Sequence, residues 1–337
     1  MTLKTYIITR LTLTPIMVII LLTIVFIILR VLPGDPVLVI LGPKASPEAI
    51  EKLREALGLN KPLYIQYFEY LNNIIHGNFG TSYYWKIPVK ELLWPRFLAT
   101  VELTFIAIII AIILGFIFGI GGAISKRFDV IAKVHTVTAY AVPVFWLGMI
   151  LQLVFGIYLK WLPITGRVDE YLIVTYNVKT ITGLLLIDSL IQGNFEVFIN
   201  TLQHLALPSL ALGFIISGII ARTTRQALSE TLSMDFITAA KARGLPESKV
   251  LFRYGLRNAL IPIITVTGLQ FALLLAGAVL TETTFSYPGL GTFLVESIQY
   301  RDYNAVQAAI VMYAIIVAIV NTIIDVLYAF IDPRIRY

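Results

Sequence analysis

Few of the residue types that do chemistry stand where they could do it. The three histidines, His76, His135 and His204, are scattered and share no carboxylate partners at ligand spacing. Each is expected to be a capping or interface residue rather than a metal ligand. No H-E-x-x-H or G-x-S-x-G occurs, the arrangements used for zinc hydrolysis and serine acyl transfer. The absence of cysteine excludes disulfides, iron–sulfur clusters and thiolate zinc sites together. Residues 119–126 are glycine-rich and end in lysine, but they lack the G-x-x-x-x-G-K-[ST] spacing that cradles a phosphate. Those glycines are expected to let helices pack closely. The chain is therefore not expected to be an enzyme or to hydrolyse a nucleotide by itself.

The remaining candidates are polar groups set in apolar sequence. An ionisable group at mid-bilayer costs about 2.5–3.5 kcal/mol on insertion scales, so each needs a reason. Glu102 lies near one end of an apolar stretch and either reaches the interface or serves a pathway. Gln152 and Gln270 lie deeper. Gln270 follows Thr265, Thr267 and Gly268 in a polar stripe that either lines a pathway or bonds neighbouring helices. Asn321 and Asp325 are one helical turn apart, and Asp325 is expected to pair with an arginine. Glu282 precedes Phe285-Ser-Tyr-Pro-Gly-Leu-Gly291, in which Pro288-Gly289 suits a type II turn. That loop reads as a structural turn, or as a gate or dock on the outside. The candidates for a translocation pathway are Glu102, Gln152, Gln270, Glu282 and Asn321.

These groups need a membrane to position them. Of 337 residues 58% are hydrophobic and 14% charged, about half the charged share of a soluble domain. The mean hydropathy is +0.85. Six apolar stretches, 8–29, 100–121, 134–158, 205–221, 260–280 and 305–330, approach the ~20 residues that cross a ~30 Å hydrocarbon core. The first is too long for the core of a secretion signal, and Pro33-Gly34-Asp35-Pro36 follows it where a cleavage site would stand. With the N-terminus inside, fourteen Lys and Arg fall in inside segments and four in the short outside loops. Both termini are therefore expected to be cytoplasmic, in the cell membrane. The net charge of +6 reports this topology and not a nucleic-acid partner.

The expected fold is all-α, an integral membrane protein with six transmembrane helices and an extracytoplasmic insertion after the first. Residues 1–30 form the first transmembrane helix, 31–99 the insertion, and 100–337 the core, with a cytoplasmic loop at 223–258. In the insertion, Ser46-Pro47 starts a helix, Gly58 stops it and Asn78-Phe79-Gly80 turns the chain. Outside segment 159–203 offers one short helix at 183–191. The halves show no inverted repeat, which argues against secondary carriers.

The loop at 223–258 holds a short, well-punctuated helix. Ser233 is placed to cap it, and Asp235 sits in its first turn, where the helix dipole favours an anion. Lys241 and Arg243 occupy the last turn, Gly244 suits a left-handed stop, and Pro246 ends the run. Ala239, Ala240 and Ala242 are small, and Phe236, Ile237 and Ala240 fall on one face. Such a face needs a partner. On residues alone, a docked protein and a lipid headgroup surface both remain open.

Ala239-Ala240-x3-Gly244 resembles the EAA signature of ATP-binding-cassette (ABC) importer permeases. The likeness continues in Lys241-Ala-Arg-Gly-Leu245, Arg257-Asn-Ala-Leu260 with Pro262, Glu282-Thr-x2-Phe285-Ser-Tyr-Pro-Gly-Leu-Gly291, Arg301-Asp-Tyr303, Asn321-x3-Asp325-x2-Tyr328 and Asp332-Pro-Arg-Ile-Arg336. Together these are similar to the dipeptide/oligopeptide/nickel permease family, and Pro33-Gly34-Asp35-Pro36 resembles its first permease subunit. Thr238 stands where the signature carries Glu, and Arg257 where it carries a later proline. The resemblance implies import of peptides or similar solutes, with nickel or oligosaccharide in the same class. It implies a second related permease, two ATP-binding cassette subunits that use ATP and Mg, and an extracytoplasmic substrate-binding protein. No cofactor is implied for this chain. The coupling helix would contact the ATPase through Asp235, Phe236, Thr238, Ala239, Ala240, Lys241, Arg243 and Gly244.

Overall fold

A computed structural model describes residues 3–31, 37, 41–42, 45–56 and 58–331. Among them every regular element is helical, with one isolated bridge between Thr81 and Pro88. In hydrocarbon a helix satisfies its own backbone, which is why long apolar runs adopt it. The centre is a pair of long helices, α4 (Val89–Ile124) and α9 (Phe195–Leu232). Gly115 and Gly119 on α4 let Ile220, Ala221 and Thr224 of α9 come so close that an added Cβ would collide with them. Close approach is thus the purpose of these glycines. Leu103, Ala107, Leu205, Leu207 and Ile220 form the buried core between the two.

Around this pair, α1 (Leu3–Val31) lies against α14 (Tyr303–Ile331). The hydroxyls of Thr14 and Thr322 join them at 2.6 Å. α11 (Arg257–Gly277) packs on α9 and α14. The stretch expected at 134–158 is broken into α5 (Lys126–Ala141) and α6 (Val144–Leu151), the latter continuing as a π-helical stretch, Gln152–Tyr158. The two arms bend by 103°. Pro143 is the reason: it has no N–H to donate, and it forces Val142 into extended backbone, φ −86°, ψ 123°. Among the described residues, by length and composition, five helices could each cross a membrane, or six crossings result if the bent pair is one span.

The segment between α1 and α4 contains the helix start and stop its sequence suggests. Ser46 Oγ accepts the amide of Ala49 at 3.3 Å at the start of α2 (Pro47–Ala56), and Gly58 turns at φ +65°. α3 (Leu63–Ile75) then lies on α1: the Tyr67 and Thr23 hydroxyls meet at 2.5 Å, and Phe26 packs edge-on to the Tyr67 ring. Gly80, at φ +75°, donates to Asn78 Oδ1 at 3.1 Å in the expected turn. A buckle follows that the sequence did not suggest. Fully buried Asp302 accepts from the Ser82 hydroxyl and, at 3.1 Å, from the Tyr84 amide. The insertion is thereby tied to the start of α14.

Between α6 and α9 the chain forms α7 (Glu170–Thr175) and α8 (Leu185–Ile191), the second near the helix expected there. α9 is longer than the stretch at 205–221 because its polar ends continue the helix on both sides. The chain then forms α10 (Asp235–Ala242), and between α11 and α14 it forms α12 (Val279–Thr284) and α13 (Leu290–Gln299). Pro33–Pro36, 332–336 and the side chain of Asp325 lie outside the described residues, and so do the readings made on them.

Candidate functional site

α10 stands between α9 and α11 on a small seat of its own. Ile237 and Ala240 are buried, one helical turn apart, against Val250 with Leu232, Leu245 and Tyr254. This corrects the expected apolar face. Phe236, at one edge of the arc the three residues span, is left 40% exposed, while the seat takes Ala240 at its centre and Ile237 at the other edge. The Ala240 methyl packs within the chain itself and is 5% exposed. Asp235, Phe236, Thr238, Ala239, Lys241, Arg243 and Gly244 form the exposed surface.

The punctuation of α10 is as expected at one end only. Gly244 has φ +72° with open space around its α-carbon, and its amide donates to the Lys241 carbonyl at 2.9 Å. Ser233 does not cap the helix: its hydroxyl donates to the Glu230 carbonyl at 2.7 Å, closing α9 instead. The flanking residue is Met234, extended at φ −75°, ψ 152° and with no side-chain bond. Pro246 is likewise extended and begins the turn that leads through the π-helical stretch Val250–Leu256 into α11.

Three of the five pathway candidates meet in one knot around α12. Glu102 is buried at the far side of α4 and takes two bonds from Arg167, at 2.6 and 2.8 Å, and one from the Leu186 amide at 2.7 Å. It is thus held in a buried ion pair. Gln152 Nε2 donates to the carbonyls of Ile164 at 2.7 Å and Thr284 at 3.1 Å. Glu282 is fully buried. Its carboxylate accepts from the Thr100 hydroxyl at 2.6 Å, the Gly291 amide at 2.7 Å and the Thr292 amide at 3.1 Å. Thr100 in turn accepts the Leu290 amide at 2.8 Å, and the Tyr287 hydroxyl donates to the Ala99 carbonyl at 3.0 Å.

Glu282 therefore faces no open pathway here; it fastens the 285–292 loop onto α4. The loop explains its own sequence. A Cβ at Gly289 would fall within van der Waals contact of the Glu282 carboxylate, and one at Gly291 would lie 2.6 Å from the Val279 α-carbon. The expected type II turn at Pro288-Gly289 does not form, since Gly289 has φ −94° and the left-handed residue is Ser286 at φ 45°. Gln270 and Asn321 are half-buried on α11 and α14 and take no part in the knot. Thr267 and Gly268 of the Gln270 stripe line an apolar cleft of ≈ 390 Å³ between α4, α11 and α14, beside Phe105, Ile264 and Phe271.

His76 caps its own helix, and the other two histidines bond across elements. His76 bonds the Asn72 carbonyl, His135 bonds the Ser217 hydroxyl at 2.8 Å while stacking on Phe118, and His204 bonds the Thr165 carbonyl at 2.9 Å. Among the described residues no cluster of three His, Asp or Glu is placed to hold a metal. Sequence reasoning missed Arg167, Thr100 and the Asp129–Arg225–Lys133 group, whose bonds are 2.9 and 2.7 Å. Arg167 registered only as one loop charge; nothing local signals a partner far away on α4.

Residues 107–337 match the family described as binding-protein-dependent transport system inner membrane component, and residues 3–104 match the N-terminal region of such membrane components. The dipeptide transport system permease protein DppB of Alkalihalophilus pseudofirmus is 42% identical over 93% of each chain. The probable D,D-dipeptide transport system permease protein DdpB of Escherichia coli K12 is 44% identical over 93% of this chain and 92% of that one. The glutathione transport system permease protein GsiC of Salmonella typhi is 36% identical over the same shares. With these matches and its apolar helices, the chain belongs to the family of inner-membrane components of binding-protein-dependent transport systems: it is a multi-pass permease subunit.

Proposed function

We propose that this chain is one permease of an ATP-driven peptide importer, with both termini and α10 in the cytoplasm and the insertion outside. Its relatives' names favour peptides as the substrate class. The bent pair α5–α6 counts as one crossing, giving six. A second, related permease would complete the pathway, two ATPase subunits would bind ATP and Mg, and a binding protein would deliver substrate to the outer face. The absence of any phosphate loop in the sequence supports the reading that a separate subunit would carry out hydrolysis.

The observation that carries this reading is α10. Its apolar seat is filled by the chain itself, yet Phe236 and the Ala239–Arg243 side remain exposed and carry both charge and a bulky apolar group. ATP-driven closure of the ATPases would push this helix. The push would pass through Val250 and the π-helical stretch into α11 and α9, rocking the permeases between inward and outward states. Ala239→Trp tests it, because Ala239 is exposed and its enlargement leaves the seat intact. Loss of ATPase co-purification and of peptide uptake, with the permease pair still assembled, is expected. A fully coupled Ala239→Trp transporter would overturn the assignment, whereas a headgroup-facing helix would accept the Trp.

A further inference from the structure

We infer that α3 is an interfacial helix, one flank of which lies in the bilayer at the boundary between acyl chains and headgroups. The segment between α1 and α4 thus holds a lipid-contact surface. At about 100° per residue, the side chains of α3 sort into three arcs. Tyr67, Tyr70 and Ile74 form the packed arc, in one cluster with Phe26 of α1 and Val311 of α14. Next to it, within about 60°, come half-buried Leu71 and then Tyr64, Ile75 and Phe68. The last three are 65, 79 and 66% exposed. Exposed Asn72, Glu69 and Asn73 follow on the third arc, around half-buried Ile65. Glu69 is the one charged residue of the helix, and Lys61 pairs with it at 2.6 Å.

The depth of α3 is set by α1. The Tyr67 and Thr23 hydroxyls meet at 2.5 Å, and the Phe26 ring touches those of Tyr67 and Tyr70. The apolar run of α1, Leu11–Ile28, has 18 residues. That is about 27 Å of helix, barely enough to cross a hydrocarbon core, so Ile28 stands at its edge. Thr23 lies five residues before Ile28, roughly 7–8 Å inside that edge. Interfacial helices bury their apolar side about 5–10 Å into the boundary of headgroups and acyl chains. The Tyr67–Thr23 contact therefore holds α3 at the membrane boundary and not above it.

Lipid is the cover that fits the exposed apolar arc. On α1, the residues next to Thr23 on the side away from packed Phe26 are Ile16, Ile27 and Ile20, each about half exposed. On a membrane-spanning helix such residues face acyl chains. The Tyr67–Thr23 contact is the seam where this stripe meets the exposed arc of α3, and the two make one continuous apolar surface. A protein seated on the α3 arc would have to overlie the α1 stripe as well. Tyr64 suits the level too, since tyrosine is enriched where an apolar ring meets lipid and its hydroxyl reaches the headgroups. The polar arc turns the other way: Glu69 and Asn73 line a polar cleft of ≈ 190 Å³ with Asn78, Asn304 and Gln307.

The experiment is nitroxide accessibility on the assembled transporter in nanodiscs of phosphatidylcholine and phosphatidylglycerol. Phe68→Cys, Ile75→Cys and Asn73→Cys are spin-labelled one at a time. The native chain has no cysteine, so its transporter, treated alike, supplies the background. Oxygen concentrates in the bilayer and a hydrophilic nickel chelate stays in water. The ratio of oxygen to nickel collisions at Phe68→Cys and Ile75→Cys is expected to exceed that at Asn73→Cys several-fold, whichever face of the membrane is cytoplasmic. Both substituted side chains are exposed, and either position answers alone if the other variant does not assemble. Frequent nickel collisions at Phe68→Cys and Ile75→Cys would place the arc in water. Few collisions with either reagent would place it beneath a protein. Either result, or a ratio at Asn73→Cys equal to theirs, overturns the inference.

Discussion

Gly289→Ala is the sharpest probe of the knot, because its cost comes from one identifiable atom group. Gly289 has ordinary backbone, φ −94°, ψ −178°, so no conformational strain enters. The new methyl would instead overlap the Glu282 carboxylate. That carboxylate cannot step aside freely: bonds of 2.6, 2.7 and 3.1 Å fix it to Thr100, Gly291 and Thr292. Relief by moving the carboxylate forfeits hydrogen bonds to a charged group at about 1.5–3 kcal/mol each. Relief by moving the loop is overpacking, at about 1–3 kcal/mol. The cheaper route still predicts a loss of roughly 1–3 kcal/mol. A double-mutant cycle isolates the cause. In a Glu282→Ala background, already destabilised by stranded amides, Gly289→Ala should cost almost nothing more. The assay is thermal and denaturant stability of the purified transporter, with peptide uptake alongside. A Gly289→Ala cost equal in both backgrounds, or absent in both, would refute the assignment of Glu282 as the fastener.

Gly244→Val should destabilise the α10 stop by about 1 kcal/mol or more, since only the left-handed backbone and no neighbour opposes it; Gly244→Asn should retain most uptake and ATPase coupling. Arg167→Met leaves Glu102 buried and unpaired and should cost about 3–5 kcal/mol, read as loss of assembled transporter, with Arg167→Met/Glu102→Met recovering part of it. Burial pushes the Asp188 carboxyl up, but bonds from the Thr182 hydroxyl and the amides of Thr182, Gly183 and Ile181 outweigh it and hold the group below its usual range. Its contribution is thus present above the ordinary carboxylate range and lost as pH falls through the lowered value. Asp188→Asn should flatten that acid loss in a stability–pH series. Single cysteines report orientation, since the chain has none: Ser46→Cys should react with an impermeant reagent in intact cells and Ser248→Cys should not.

The apolar runs announced their helices because in lipid the backbone has one inexpensive solution. The left-handed stop at Gly244 and the cap at Ser46 were legible for a similar reason, each being set by its nearest neighbours. What resisted reading was anything decided by a partner far along the chain. Ser233 and Met234 differ little as local caps, and the choice between them was made where α9 ended. The packing of Ala240 on Val250 was not visible from its own turn. Glu282 looked like a loop carboxylate, and only the fold placed Thr100 against it. Pro143 was visible in the sequence; its effect was hidden by the evenness of the apolar run around it.

The join between α1 and α14 bears on how such a chain is made. Thr14 and Thr322 are 308 positions apart, and synthesis delivers the N-terminal side first. α1 must therefore wait in the bilayer until the final long helix arrives to pair with it. Asp302, buckled to Ser82, sits at the threshold of that helix and would register its arrival on the opposite face. A ribosome-bound intermediate lacking α14 should present both an unpaired α1 and a loose insertion, two features by which a membrane chaperone or protease could distinguish unfinished permease from finished.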